Sequence, residues 1–224
     1  MSLIILILGM IALAFYIPEK LRGYTLKAVF RKSIVSVLFI AVAVSAGASG
    51  RLPVFVILGL VCGLLGDIWL DLKYVFSLHD EPFTYAGFIS FGIGHILYVT
   101  GLLLQYGTGK YLPLSFVLAA AAAGLVSVLE GPMKLVYGKM KPIVLAYGFL
   151  LFSSVFVSGG LLLSEGGRTL LAFFAGSVLF AVSDLILSGT YFGKGKDTAL
   201  YIISNYLFYY GGQFLIAYAL VFLV

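Results

Sequence analysis

Three of the nine acidic residues lie inside apolar runs: Asp67, Asp71 and Asp184. A charge at the centre of a bilayer costs at least about 2.5–3.5 kcal/mol, so an acid kept there pairs, relays protons or does chemistry. Asp71 is one helical turn beyond Asp67, nearer the end of its run, and is expected to be solvated. The other six acids, Glu19, Asp80, Glu81, Glu130, Glu165 and Asp197, fall in loops or at span ends. Asp67 and Asp184 remain as the reactive candidates. Where two carboxyls share a low-dielectric site, burial and mutual repulsion keep one protonated while the other stays ionised. That is a general acid beside an anion or general base, and it needs no metal.

An internal repeat relates the two aspartates. Gly59-x3-Gly63-x2-Gly66-Asp67-x2-Leu70 aligns with Gly176-x3-Phe180-x2-Ser183-Asp184-x2-Leu187, and the match continues to Tyr74 and Tyr191, each seven residues past its aspartate. Such spacing makes one stripe along an α-helix. The two helices are third and seventh in order, so the halves, 1–110 and 111–224, are expected to be parallel repeats about an axis along the membrane normal. Both aspartates would then lie at equal depth and share a cavity. Small residues along each stripe let helices approach closely.

Two further helices carry polar stripes. Gly87, Phe91, His95 and Tyr98 fall on one face of the fourth. A lone histidine on an apolar helix is more often a packing residue, but at mid-bilayer an unsatisfied imidazole is expensive, so a site role stands beside the packing role. In the last helix Tyr206, Gln213 and either Tyr209 or Tyr210 share a face, near Asn205. Tyrosines alone suit an interfacial belt; Gln213 is too deep for one.

The elements that must position these residues are membrane helices. Of the 224 residues 62% are hydrophobic and only 10% charged, where a soluble domain averages about 45–50% and about 25%. The mean hydropathy of +1.14 agrees. Apolar runs at 1–17, 33–50, 52–72, 83–106, 111–129, 142–163, 169–188 and 198–224 are each near the length that crosses a bilayer. The expected fold is therefore all-α, a polytopic transmembrane bundle of about eight helices in a single domain. Gly47, Gly50 and Pro53 mark a very tight second connection. Eleven of the fourteen Lys and Arg residues, among them Lys20, Lys32, Lys73 and Lys194, fall in odd-numbered connections; only Arg51, Lys110 and Arg168 fall in even ones. That bias places the odd connections in the cytoplasm and both termini outside. It also explains the net charge of +5 without nucleic acid. Two histidines, His79 and His95, are too few for a three-histidine zinc site. The single Cys62 forms no disulfide framework.

Taken together, Gly66-Asp67-x2-Leu70, Gly87-x3-Phe91-x3-His95-x2-Tyr98, Gly176-x3-Phe180-x2-Ser183-Asp184-x2-Leu187 and Tyr209-Tyr210-x2-Gln213 resemble the motifs of the YhhN-type lysoplasmalogenase family, from about residue 30 to the C-terminus. Pro142 and Tyr147 fit the family's Pro and Tyr in the sixth helix. Lys32-Ser33 departs from the family's Lys-Pro, and Ser153-Ser154 stand where a Met is common. The resemblance implies cleavage of the vinyl ether of a lysoplasmalogen, a lysophospholipid drawn from the membrane, to a fatty aldehyde and a glycerophospho-alcohol. It implies no cofactor and no metal. Asp67 and Asp184 would be catalytic, in either order. His95, Tyr98, Ser183, Tyr209 and Gln213 would bind substrate or orient water. Lys73, Lys194 and Lys196, at the cytoplasmic ends of the Asp-bearing helices, are candidates for the head-group phosphate, although the positive-inside bias explains each of them more simply. We expect a cavity opening to the cytoplasmic leaflet near Lys73 and Lys194, floored by His95 and Gln213.

Rival readings are weaker. A proton-coupled transporter would also use paired intramembrane acids and parallel repeats, but no proline breaks either Asp-bearing helix near its acid. Presenilin-like proteases use Tyr-Asp and Gly-x-Gly-Asp, and neither is present. Gly47-Ala48-Ser49-Gly50 copies the rhomboid Gly-x-Ser-Gly, but small residues at a helix end explain it.

Overall fold

A computed structural model describes residues 1–23, 25–193 and 197–223. Among these residues the protein is all-α, with eight helices following the eight apolar runs. They are α1 (Ser2–Arg22), α2 (Leu26–Ser45), α3 (Arg51–Val75), α4 (Asp80–Tyr106), α5 (Leu112–Val128), α6 (Lys141–Glu165), α7 (Arg168–Phe192) and α8 (Ala199–Ala219). Six are long and apolar enough to cross a membrane, consistent with an integral membrane protein. The exceptions are α5, at 17 residues, and α8, at 21 residues, whose tyrosines, Asn205 and Gln213 dilute its apolar character. Between α2 and α3 the chain reverses over Gly47 (φ 69°) and Gly50 (φ 113°), backbone angles that glycine adopts without a Cβ penalty.

Several helices outrun their apolar runs: α3, α6 and α7 at both ends, α2 at its start and α1 at its end, while α5 and α8 fall short of theirs. Thr25 caps α2 by accepting the Ala28 N–H at 3.1 Å, so the helix starts well before position 33 and Lys32 lies inside it. Likewise α1 runs on through Lys20 to Arg22. Lys20 and Lys32, expected in a cytoplasmic connection, are therefore buried helix residues.

Six helices close a ring in which α2, α3, α4, α6, α7 and α8 each pack on the next and α8 returns to α2. Outside it, α1 lies on α2 and touches α8, while α5 lies chiefly on α6. The neighbours of α1–α4 and of α5–α8 thus follow the same pattern. The closest pairs are α3 with α4 and α7 with α8. Of the glycines in the Asp-bearing stripes, Gly59 and Gly66 face α4 and Gly176 faces α8, while Gly63 faces Gln213 of α8. A Cβ on Gly212 would lie 2.7 Å from the Gly176 carbonyl oxygen, so only glycine allows α8 that close to α7. Past the aspartates, the Tyr74 and Tyr191 rings meet edge to face at 6.2 Å.

Candidate active site

Where α3 and α7 near their C-terminal ends, side chains of α1, α2, α3, α6, α7 and α8 converge. Asp67 is 2% exposed. Its Oδ2 accepts hydrogen bonds from Ser36 Oγ (2.6 Å) and the Tyr209 hydroxyl (2.8 Å), and its Oδ1 lies 3.2 Å from Lys32 Nζ. One turn on, Asp71 is 3% exposed rather than solvated. Its Oδ1 meets Lys20 Nζ at 2.8 Å and Lys32 Nζ at 3.4 Å, and its Oδ2 accepts from the Tyr16 hydroxyl at 3.2 Å. Two lysines thus balance two aspartates. Buried charges persist when they are paired and hydrogen-bonded in this way, and stripping one partner from such a set costs about 3–5 kcal/mol.

Asp184 is surrounded differently. Tyr147 donates a hydrogen bond to its Oδ2, and Ser183 Oγ donates to its Oδ1 at 3.3 Å. Among the described residues no cation pairs with it. Lys32, Ser36 and Tyr209 thus gather on one carboxyl, and only hydroxyls on the other.

Asp67 and Asp184 line one cleft, together with Lys32, Tyr147, Asn205 and Tyr209. An apolar cavity between α5, α6 and α7 also reaches Asp184 and Tyr147. A polar cavity is lined by Lys20, Asp71 and Asp197 and shares Asn205 and Tyr206 with the cleft. Leu187 and Tyr191 line all three, so the cleft stands between an apolar and a polar annex.

The remaining sequence candidates sit behind the cleft or beyond the described residues. Tyr209 lines the cleft and bonds Asp67 directly. Gln213 and Tyr98 do not line it; the Tyr98 hydroxyl donates to Gln213 Oε1 (3.1 Å) and Gln213 Nε2 donates to the Tyr209 oxygen (3.3 Å), so they brace Tyr209 from behind. Ser183 is buried, with its hydroxyl on the Phe180 carbonyl at 2.7 Å. His95 is not in the cleft either, so the expected floor of His95 and Gln213 is absent. Its Nδ1 is 3.0 Å from Ser154 Oγ, and its ring meets that of Phe180 edge to face at 4.9 Å. Among the described residues Nε2 has no hydrogen-bond partner. Lys194 and Lys196 lie outside the described residues.

Sequence reasoning missed Lys20, Lys32, Ser36 and Asp71. The legible sign was Thr25: as an N-cap it puts Lys32 and Ser36, four residues apart, on one face of the helix that follows. Nothing comparable marks Lys20.

A family model described as the YhhN family matches residues 26–220. The chain belongs to the YhhN family. No curated protein and no solved structure matches it. The matched span opens at the first residue of α2 and takes in every site residue named above except Tyr16 and Lys20 of α1. Membership is consistent with a membrane hydrolase.

Proposed function

We propose that the protein hydrolyses the vinyl ether bond of lysoplasmalogens, with Asp184 as the acid and Asp67 as the base. The observation that carries this reading is the inequality of two carboxyls in one cleft. Asp67 has a lysine and two hydroxyl donors, which suits an anion. Asp184 has no cation among the described residues, and an unpaired buried carboxylate is expensive, so it carries a proton.

The chemistry then balances. Asp184 protonates the vinyl carbon β to the ether oxygen, and the C–O unit becomes an oxocarbenium ion facing the Asp67 carboxylate. Water adds to that carbon and gives its proton to Asp67. The hemiacetal collapses as Asp184 takes the hydroxyl proton and Asp67 returns one to the departing glycerol oxygen. Aldehyde and alcohol leave, and both carboxyls are back in their starting states. The division of labour parallels the carboxyl pairs of glycosidases. The apolar annex suits the hydrocarbon chain, and the interfacial end of the bundle suits the head group.

Detergent-purified protein should release aldehyde from a lysoplasmalogen and none from its saturated alkyl ether analogue, which offers no alkene to protonate. In D2O the aldehyde should carry one deuterium on the carbon next to the carbonyl. Aldehyde without that deuterium would rule out protonation at carbon; no aldehyde from either lipid would favour the transporter reading.

A further inference from the structure

We infer that the polar cavity beside the cleft is a head-group subsite selective for a primary ammonium, so that the preferred substrate carries phosphoethanolamine rather than phosphocholine. The inference rests on the hydrolase reading only for the identity of the lipid; the subsite follows from its own residues. Lys73 Nζ sits 3.2 Å from the centroid of the Tyr191 ring and 4.8 Å from that of Tyr74, and both tyrosines line the polar cavity. Among the described residues no carboxylate lies within ion-pair distance of Lys73, nor any cation within ion-pair distance of Asp197. Of the charges lining the cavity, Lys20 and Asp71 are paired with each other at 2.8 Å and Asp197 is the remaining one; Lys73, over the rings of Tyr74 and Tyr191 in its wall, stands outside the lining. That pattern complements a zwitterion, with ammonium on Asp197 and phosphate toward Lys73.

The acceptors decide which ammonium. Asn205 lines both the cleft and the polar cavity. One of its amide N–H groups is donated to the Ser183 carbonyl at 2.7 Å, and its Oδ1 is an acceptor. Thr190 lines the cavity and gives its hydroxyl proton to the Ile186 carbonyl at 3.4 Å, so its oxygen also accepts. With the Asp197 carboxylate these make three acceptors, as many as a primary ammonium has N–H donors. A quaternary ammonium has no N–H to give. It would bind on aromatic faces, but the rings here already carry lysines: Lys73 over Tyr191 and Tyr74, and Lys32 5.5 Å from the Tyr206 centroid. The continuity of lining from Asp67 through Asn205 and Tyr191 lets one lysolipid place its ether in the cleft and its head in the cavity.

The test is binding of saturated alkyl ether lysolipids, which are not cleaved, to the full chain in nanodiscs, run beside hydrolysis of the matching vinyl ethers. The ethanolamine analogue should bind about tenfold more tightly than the choline analogue, and Asp197→Asn and Thr190→Val should each shrink that ratio. A ratio is read within each variant, so the amount of folded protein does not enter. Equal affinities in the unaltered protein, or a preference that survives Asp197→Asn, would overturn the subsite. A binding preference without aldehyde release would leave the subsite standing and remove the hydrolase reading.

Discussion

Asp184 and Asp67 differ in what surrounds them more than in where they lie, and their substitutions should report that difference. Asp184→Asn removes the proton donor and should lower kcat by about 10²–10⁴-fold, the range general acids supply. Asp67→Asn removes the base and leaves Lys32 short of one partner. The double variant should be little worse than either single one, because residues that act as a unit are not additive. Aldehyde release, with circular dichroism to verify folding, checks all three. Substantial activity in a folded Asp184→Asn would take that carboxyl out of the mechanism. Asp71, by contrast, belongs to the charge balance: it answers Lys20 and Lys32 and does not line the cleft.

At the scale of elements, the connection between α5 and α6 closes over the apolar annex, to which Tyr137 contributes. Leu135 bridges to Gly193, and the Val136 N–H donates to the Phe192 carbonyl at 2.9 Å. Glu130 clasps this segment, receiving Lys141 Nζ at 2.9 Å and the Tyr137 N–H at 2.8 Å. The hydrogen bond from Lys141, and after it that from the Tyr137 backbone, hold the Glu130 carboxyl below its ordinary range. A carboxyl lowered in the folded state stabilises it above the unfolded value, and that contribution is lost as pH falls through the folded value. Acidification through the carboxylate range should therefore loosen the connection before the bundle, seen as faster hydrogen exchange at the Tyr137 amide. In Glu130→Gln that amide should exchange faster already at neutral pH, and the acid-dependent step should vanish.

For the molecule as a whole, the ends of α1, α3 and α7 and the start of α8 meet at one face, and the polar cavity lies there. With Lys20 and Lys32 taken into the interior, the odd connections still hold most of the lysines and arginines, so we propose that this face is cytoplasmic. A cysteine at position 73, in a Cys62→Ser background and in sealed oriented vesicles, should react with an impermeant reagent from the cytoplasmic side. Reaction from the opposite side alone would invert the topology and the leaflet that delivers substrate. We propose that the chain is a duplicated four-helix unit, α1–α4 and α5–α8 having matching neighbours.

Composition and run length by themselves determined a membrane bundle of eight helices, because burying so much apolar surface with so few charges leaves no other solvent for it. The repeated stripe also singled out Asp67 and Asp184, since an acid in hydrocarbon is conspicuous in any sequence. What the sequence alone could not determine is which charges escape water. Lys20 and Lys32 look like loop cations until Thr25 and the length of α1 carry them inward, and Asp71 looks solvated until two lysines reach it. His95 and Gln213 share the stripe pattern of site residues, yet the tertiary structure puts both behind the cleft, because periodicity gives a helix face and not the depth of the cavity it meets. The unequal partners of the two aspartates, a lysine for one and hydroxyls for the other, arise only where six helices bring distant segments together. Tertiary structure alone decided that asymmetry.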